Sequence, residues 1–409
     1  MKIVHTHCAA LDVHKKQVTA CAQVGEASAE PDKHLRTFRT MTESLEKLAE
    51  WLSRLGVRQV VMESTGSYWK PIWAVLEGKF ELMLVNAAHV KAVPGRKTDV
   101  KDAEWLADLH RHGLLRGSFV PPTEIQDLRD LTRYRAQLTG ERSATSNRVS
   151  KILETANIKL GSVASEVMGA SGRAMLAGLI GGEQTPEELA NLACGTLRKK
   201  MPELREALRG HVRPHHREML GLLLDQWLYL NEQIAKVDVA IEVRMDPFQW
   251  AVSLLTTIPG ISRLAAWTIL AETGVDMGQF PSQSHFASWA GLCPGNHESA
   301  GKRLCGTTRD GNRWLERIMC QVAWAASHTR ASYYAAQFHR LAAKRGSKRA
   351  TIAVAHSLLE TIYHMLQRRQ PFQDLGGDYF ERLHGENYQR YLVRKLEERG
   401  FKVTLEPAA

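Results

Sequence analysis

The sequence has little that is typical of a secreted or membrane protein. Its six cysteines are scattered and include no C-x-x-C pair, so we expect no disulfide framework and a reducing compartment. No stretch approaches the roughly 18 consecutive apolar residues of a membrane span, and the first residues lack the apolar core of a signal peptide. These absences predict a cytoplasmic protein that does not enter a membrane.

Two common motifs of metal and nucleotide sites are also missing. Cys293, His297 and Cys305 have a spacing that matches no usual zinc site, and a fourth ligand is absent. No glycine-rich phosphate loop follows Asp12, although a strand that ends in aspartate and a turn also occurs in sugar kinases. A zinc protein and a nucleotide phosphotransferase are therefore both disfavoured.

Positive charge is what the chain has in excess. Among 409 residues, 54 lysines and arginines stand against 44 acidic residues, which gives a formal net charge of +10. Such an excess favours a polyanionic partner, above all nucleic acid. The length is enough for two or three domains.

The first 115 residues or so have the pattern of a mixed α/β domain. Residues 8–24 read as a β-hairpin, and Asp12 lies near the end of its first strand. Further strands are predicted at 34–40, 58–63 and 80–86, and helices at 42–55, 68–76 and 102–112. Glu63 ends the strand 58–63, at the edge where open α/β sheets place ligand chemistry.

The segment Lys97–Leu106 adds two acidic residues to Asp12 and Glu63. Asp99 and Asp102 are three residues apart, so both fall on one side of a helix N-terminus. Carboxylates this close repel each other unless a cation lies between them, and Mg²⁺ is the natural candidate because it takes oxygen ligands. The alternative is an ordinary solvated first turn of a helix.

A long basic helix is predicted after the boundary at Pro121 and Pro122. It covers residues 124–159 and either contacts nucleic acid or exposes a solvated face. Its candidate contacts are Arg129, Arg133, Arg135, Arg142, Arg148 and Lys151. Residues 203–245 carry an apolar stripe at helical spacing, which predicts pairing with the basic helix as a helical hairpin or coiled coil, or an oligomer seam.

The last third combines two predicted helices, joined by a Pro-Gly turn, with a basic loop. The turn at Pro259 and Gly260 suits a helix-hairpin-helix that holds a DNA phosphate, or a plain corner between helices. Ser299 lies among glycines and is followed by basic residues, as in a nucleophile that meets a phosphodiester or in a simple phosphate-binding loop. The basic candidates there are Lys302, Arg303, Arg309 and Arg313.

Six short motifs in this order resemble the DEDD transposases of bacterial insertion sequences. They are ALDVHK (10–15), MESTGSYW (62–69), KTDVKDA (97–103), IPGI (258–261), WAGLCPG (289–295) and ESAGKR (298–303). Proteins of this family are related to the Piv-type DNA invertase and are known as bridge-RNA-guided recombinases. Each motif alone is weak, but six in order over most of residues 8–330 are specific.

The resemblance implies a fold, a set of site residues and several partners. It implies an RNase H-like, RuvC-like N-terminal domain (1–118), a helical coiled-coil middle (119–250), a mainly α transposase domain with a helix-hairpin-helix element (251–370) and a C-terminal tail (371–409). By position, Asp12, Glu63, Asp99 and Asp102 match the metal-binding acids, for Mg²⁺ or Mn²⁺, and Ser299 matches the catalytic serine. Double-stranded DNA, a non-coding guide RNA and a homo-oligomer, dimer or tetramer, are the implied partners, in the bacterial cytoplasm and associated with the nucleoid.

Two other functions remain open from the sequence. A hydrolytic junction resolvase would use the four acids to activate water, with Ser299 only binding phosphate. A non-catalytic descendant of the enzyme would bind nucleic acid without cleaving it.

Overall fold

A five-stranded sheet forms the centre of the N-terminal unit, Met1–Val120. The computed structural model describes residues 3–64, 66–86, 102–295, 297–299, 302–305, 308, 311–383 and 385–405. The strands are β1 (His7–Val13), β2 (Gln17–Val24), β3 (Asp32–Arg39), β4 (Gln59–Ser64) and β5 (Glu81–Asn86), and the helices are α1 (Thr42–Arg54), α2 (Trp69–Leu76) and α3 (Asp102–Arg111).

The sheet has the order β3-β2-β1-β4-β5. β1 and β2 pair antiparallel, as do β2 and β3, whereas β4 is parallel to both β1 and β5. The predicted hairpin, the three further strands and the mixed α/β class are therefore confirmed.

Helices cover both faces of this sheet. On one face, α1 and α2 bury Leu48 and Ile72 against alternate residues of β1 and β4. On the other face, Ala103, Leu106 and Ala107 of α3 pack against the residues in between. Because side chains alternate along a strand, this arrangement determines which β1 and β4 residues face α3.

The second unit, Pro121–Ala409, is mostly helical. Its helices up to the second hairpin are α4 (Thr123–Thr155), α5 (Leu160–Val163), α6 (Ala170–Gly181), α7 (Pro186–Asn191), α8 (Met201–Ala207), α9 (Pro214–Met245), α10 (Gln249–Leu255), α11 (Arg263–Thr273) and α12 (Gln283–Trp289). Next come β6 (His297–Ser299), β7 (Lys302–Cys305), α13 (Arg313–Ser327), α14 (Tyr333–Arg345), α15 (Ser347–Arg368), α16 (Tyr379–Leu383) and α17 (Gly385–Glu397).

The long helices α4 and α9 run antiparallel to each other. Arg135 pairs with Asp238, and Arg142 donates to Asn231 over 2.7 Å. Further along, the Trp227 indole donates to Ser146. The residue numbers of the partners fall along α9 as they rise along α4, so the predicted pairing of these two helices is confirmed.

In the part of the chain that the structure describes, no helix is long and apolar enough to cross a membrane.

Candidate active site

Two carboxylate residues lie side by side at one edge of the N-terminal sheet. β1 and β4 are parallel and in register up to Leu11 and Met62. The next residues are Asp12 and Glu63, near the carboxyl end of each strand. Neighbouring strands are about 4.8 Å apart, so these two acidic residues are direct neighbours.

Asp12 and Glu63 share the face of the sheet that α3 covers. Ala10 of β1 and Val61 of β4 belong to the core cluster that contains α3. Asp12 and Glu63 follow them by two residues, and side chains two apart on a strand point to the same side. Both acidic residues therefore lie beyond the end of this apolar cluster, on its side of the sheet.

Helix α3 brings a third carboxylate residue to the same end. Its last residue, Arg111, accepts hydrogen bonds from the amides of Val4 and His5 through its carbonyl oxygen. The Arg111 guanidinium donates to the Thr6 carbonyl over 3.1 Å. The helix therefore ends beside the start of β1 and runs antiparallel to it, so its first residue, Asp102, lies toward the end of β1 that carries Asp12.

His14 contacts this site. Its Nε2 lies 3.1 Å from Asp12 Oδ2, and the Asp12 side chain is 26% exposed. Sequence analysis did not single out His14, although its position in the turn directly after β1 places it close to the end of that strand. The contact gives Asp12 a polar neighbour and leaves it open to solvent.

The donors at this edge are of the chemical type that a hard divalent cation takes. Carboxylate oxygens from two strand ends and one helix N-terminus are the ligands that Mg²⁺ prefers, and the helix dipole makes negative charge favourable there. Within the described ranges, no three His, Cys, Asp or Glu residues are close enough to hold a metal ion. Asp99, the fourth predicted ligand, lies outside those ranges.

Ser299 lies in a β-hairpin of the second unit. It is the last residue of β6 and pairs with Lys302, the first of β7. Pro294 and Thr308 form an isolated bridge further down the same loop. The side chains of Ser299, Lys302 and Arg303, and the whole of Arg309, fall outside the described part of the structure.

Four of the six basic residues predicted on α4 have partners within the protein. Arg129 and Arg133 bind the fully buried Glu272, whereas Arg135 pairs with Asp238 and Arg142 with Asn231 on α9. The helix uses these four side chains to bind α9 and α11, so they are already engaged within the protein, and their contact with nucleic acid stays a prediction. Arg148 and Lys151 are exposed and remain candidates for nucleic-acid contact.

Gly260 has a structural reason to be glycine. Its φ is +90°, and a Cβ there would lie 2.7 Å from the Ala326 amide nitrogen in α13. The turn between α10 and α11 therefore packs closely on α13, and Ser262 caps α11 by accepting from the Ala265 amide. This packing alone requires a glycine here, and the phosphate contact at Gly260 stays a prediction.

Arg313 and two unpredicted residues surround the start of α13. Arg313 is exposed, with its guanidinium 5.5 Å from the centre of the Trp314 ring. Asn312 caps α13 and donates to Glu272 over 2.7 Å. Sequence analysis singled out neither Asn312 nor Glu272, although an asparagine before a helical pattern is a standard capping signal.

Comparison with known proteins gives the same family for both units. A transposase model of the DEDD, IS110 type matches residues 9–158, and a model described as the transposase IS116/IS110/IS902 family matches residues 252–340. Together the two models match more than half of the chain.

Three relatives show how far the similarity extends. A "probable family 20 transposase" of Pseudomonas aeruginosa is 26% identical over 318 residues, 76% of this chain and 84% of the relative. The 43.6 kDa protein of insertion element IS110 of Streptomyces coelicolor is 27% identical, over 67% of this chain and 72% of the relative. The pilin gene-inverting protein of Moraxella bovis is 30% identical, over 29% of this chain and 38% of the relative. The chain belongs to the IS110 family of insertion-sequence transposases, enzymes that recombine DNA.

Proposed function

We propose that this transposase cleaves and rejoins DNA through Ser299, with a divalent metal bound by the acidic residues of the N-terminal unit. The observation that carries the proposal is the gathering of Asp12, Glu63 and Asp102 at one end of the sheet, on one face. The strand order β3-β2-β1-β4-β5, with acids at the ends of β1 and β4, supports an RNase H-like fold of the RuvC kind.

The metal would be Mg²⁺ or Mn²⁺, held by Asp12, Glu63, Asp99 and Asp102. The DEDD family to which the chain belongs suggests dependence on a divalent ion. When bound, the metal would polarise the scissile phosphate and stabilise the leaving oxygen. His14, hydrogen-bonded to Asp12, would hold that carboxylate in place.

Ser299 would supply the nucleophile. Its hydroxyl oxygen bonds to phosphorus, while the bond from phosphorus to one deoxyribose oxygen breaks. That oxygen leaves as a hydroxyl after taking a proton, and the serine proton passes to solvent. The seryl phosphodiester keeps the bond energy, so a hydroxyl of another strand can reverse the step without ATP.

Nucleic-acid binding would use exposed basic residues. Arg148 and Lys151 on α4 face solvent, as do Lys344, Arg345, Lys348 and Arg349 at the junction of α14 and α15. We propose that a guide RNA encoded by the element selects the sites by base pairing, while the protein binds backbones and shape. A homo-oligomer would place acids of one subunit beside the serine of another.

A cleavage assay on a denaturing gel tests this proposal. Protein is incubated with Mg²⁺, RNA from the element's end and labelled junction DNA from the element, and protein-linked DNA is measured. Wild type should give a linked band, whereas Ser299→Ala and Asp102→Asn should give none. Asp108→Asn, six residues along α3 where Asp108 accepts from Gln23, is the matched control and should retain the band.

The same gel identifies the competing function. Free cleaved ends from both wild type and Ser299→Ala, without a linked band, would mean a hydrolytic nuclease in which the serine only contacts phosphate. A linked band that persists in Asp102→Asn would remove the carboxylates from the reaction.

A further inference from the structure

Glu272 is a fully buried carboxylate on α11, 0% exposed. A buried charge is costly unless it is paired and hydrogen-bonded. Arg133 binds it with two parallel hydrogen bonds, Nε to Oε1 over 2.7 Å and the terminal nitrogen to Oε2 over 2.8 Å. Arg129 lies 3.3 Å from Oε2. Glu272 is therefore the acceptor of a compact charged cluster in the second unit.

The cluster joins three helices. Arg129 also donates to the carbonyl oxygens of Ala271 and Glu272, at the last turn of α11 where helix carbonyls lack partners. Asn312 completes it: its side-chain nitrogen donates to Glu272 Oε2 over 2.7 Å. The oxygen of the same amide accepts from the amides of Trp314 and Leu315 and so caps α13.

Asn312 stands at the base of the hairpin that carries Ser299. A Cβ on the preceding Gly311 would lie 2.3 Å from the Gly291 amide nitrogen, so the two arms of the loop touch through their backbones. From this base, the pairs Pro294–Thr308 and His297–Cys305 lead to Ser299–Lys302. A small rotation at the base would therefore displace Ser299 by a larger distance.

We propose that Glu272 is a positioning residue: it fixes this hairpin through Asn312 and holds the base of the hairpin at a fixed position relative to α4. The inference rests on the proposed role of Ser299 as nucleophile. Glu272 does not touch DNA in this scheme. It acts through the amide of Asn312 and through Arg129 and Arg133, which hold α11 against α4.

The test removes the hydrogen bond between Asn312 and Glu272 and then forms it again with donor and acceptor exchanged. Asn312→Asp keeps the helix cap but turns the donor toward Glu272 into a second carboxylate. Glu272→Gln removes the buried charge and leaves two arginines uncompensated. The double variant Asn312→Asp/Glu272→Gln recovers one donor, one acceptor and the original total charge.

We expect Asn312→Asp to slow formation of the protein–DNA link by roughly tenfold to a hundredfold, as displacement of a reacting group by about 1 Å can do. Its affinity for DNA should stay unchanged. Amide hydrogen exchange should rise in peptides covering 291–312 and stay constant elsewhere. The double variant should recover the rate and the protection in part, because its new amide nitrogen can donate to position 312 but no longer accepts from Arg133.

Asp238→Asn is the matched control. It removes an ion pair that α4 makes through Arg135 with α9, away from the hairpin. It should lower the melting temperature without changing exchange in 291–312 or the rate of the linked product.

Two results would overturn the inference. One is unchanged exchange in 291–312 for Asn312→Asp, and the other is a uniform rise across the second unit that the double variant does not reverse. If wild type forms no serine link, the nucleophile proposal fails by itself, and the exchange data still decide whether Glu272 holds the hairpin.

Discussion

At the scale of single residues, His110 shows how burial changes the ionisation of a side chain. It lies near the end of α3, is 2% exposed, and stacks on His5 with ring centres 4.6 Å apart. Burial, and to a lesser extent the charge of His5, lower the pKa of His110 from 6.5 to about 4. Between these two pH values, His110 is therefore mostly neutral in the folded protein and mostly protonated in the unfolded chain.

This difference predicts a loss of stability in acid. Between pH 6.5 and about 4 the unfolded state binds more protons, so the free energy of unfolding falls as the pH falls. For His110 alone the loss between pH 7.5 and 5 is about 2 kcal/mol. His110→Phe keeps the ring and should remove that part of the slope in urea unfolding at the two pH values. A variant with the wild-type slope would contradict the assignment.

The site residues that the sequence predicted have local signals, whereas those it missed have partners far away along the chain. Asp12 and Glu63 end apolar runs, and Asp102 begins a helical pattern, so local spacing was enough to propose them. Glu272 has partners 143, 139 and 40 residues away. No local pattern reveals such a cluster, and for the same reason Arg129 and Arg133 read as solvent-facing charges.

At the scale of elements, hydrophobic periodicity located most helices and strands but not every break. Residues 314–349 have a helical pattern throughout in the sequence, but they form α13, α14 and the start of α15, separated at the capping residue Ser332 and at Gly346. Likewise, 203–245 divides into α8 and α9, and Pro214 begins the second helix. The breaks occur at helix-capping residues and at a proline. These residues affect only about one helical turn, so in the sequence they are less conspicuous than the apolar stripe that continues past them.

Two glycines give stability predictions of opposite sign: Gly260 in the turn between α10 and α11, and Gly140 in α4. Gly260→Ala forces a left-handed backbone and a 2.7 Å contact with the Ala326 amide nitrogen, so it should lower the free energy of unfolding by about 1–3 kcal/mol. Gly140→Ala, in the middle of α4 with no atom within 4 Å of the new Cβ, should raise it by up to about 1 kcal/mol. Urea unfolding measures both.

A different result for Gly260 would favour the predicted phosphate contact. If Gly260→Ala leaves stability unchanged and weakens DNA binding, the turn holds DNA and its packing on α13 is secondary.

At the scale of the whole molecule, the net charge is +10. Some of the basic side chains form ion pairs within the protein, and others are exposed and available to a partner. Arg148 and Lys151 are exposed on α4, unlike Arg129 and Arg133. Changing both to alanine should weaken nucleic-acid binding equally for all sequences, and the slope of log affinity against log salt should fall by about 2. The melting temperature should not change.

Lys236→Ala on α9 is the control for this pair, because Lys236 is exposed but already bound to Glu232 over 2.7 Å. A salt slope that falls as much for Lys236→Ala as for the double change would mean that only total charge matters. An unchanged slope in the double variant would exclude this face of α4 from the interface.

The proposed reaction needs residues of both units, the acids of the first and the serine of the second. The most direct measurement is mass spectrometry of the protein recovered from a cleavage reaction with Mg²⁺, guide RNA and DNA, after digestion with protease and nuclease. We predict a nucleotide attached to the peptide that contains Ser299, absent when the metal is chelated or Asp102 is asparagine. Cleaved DNA with no modified peptide, or a nucleotide on another residue, would contradict the account.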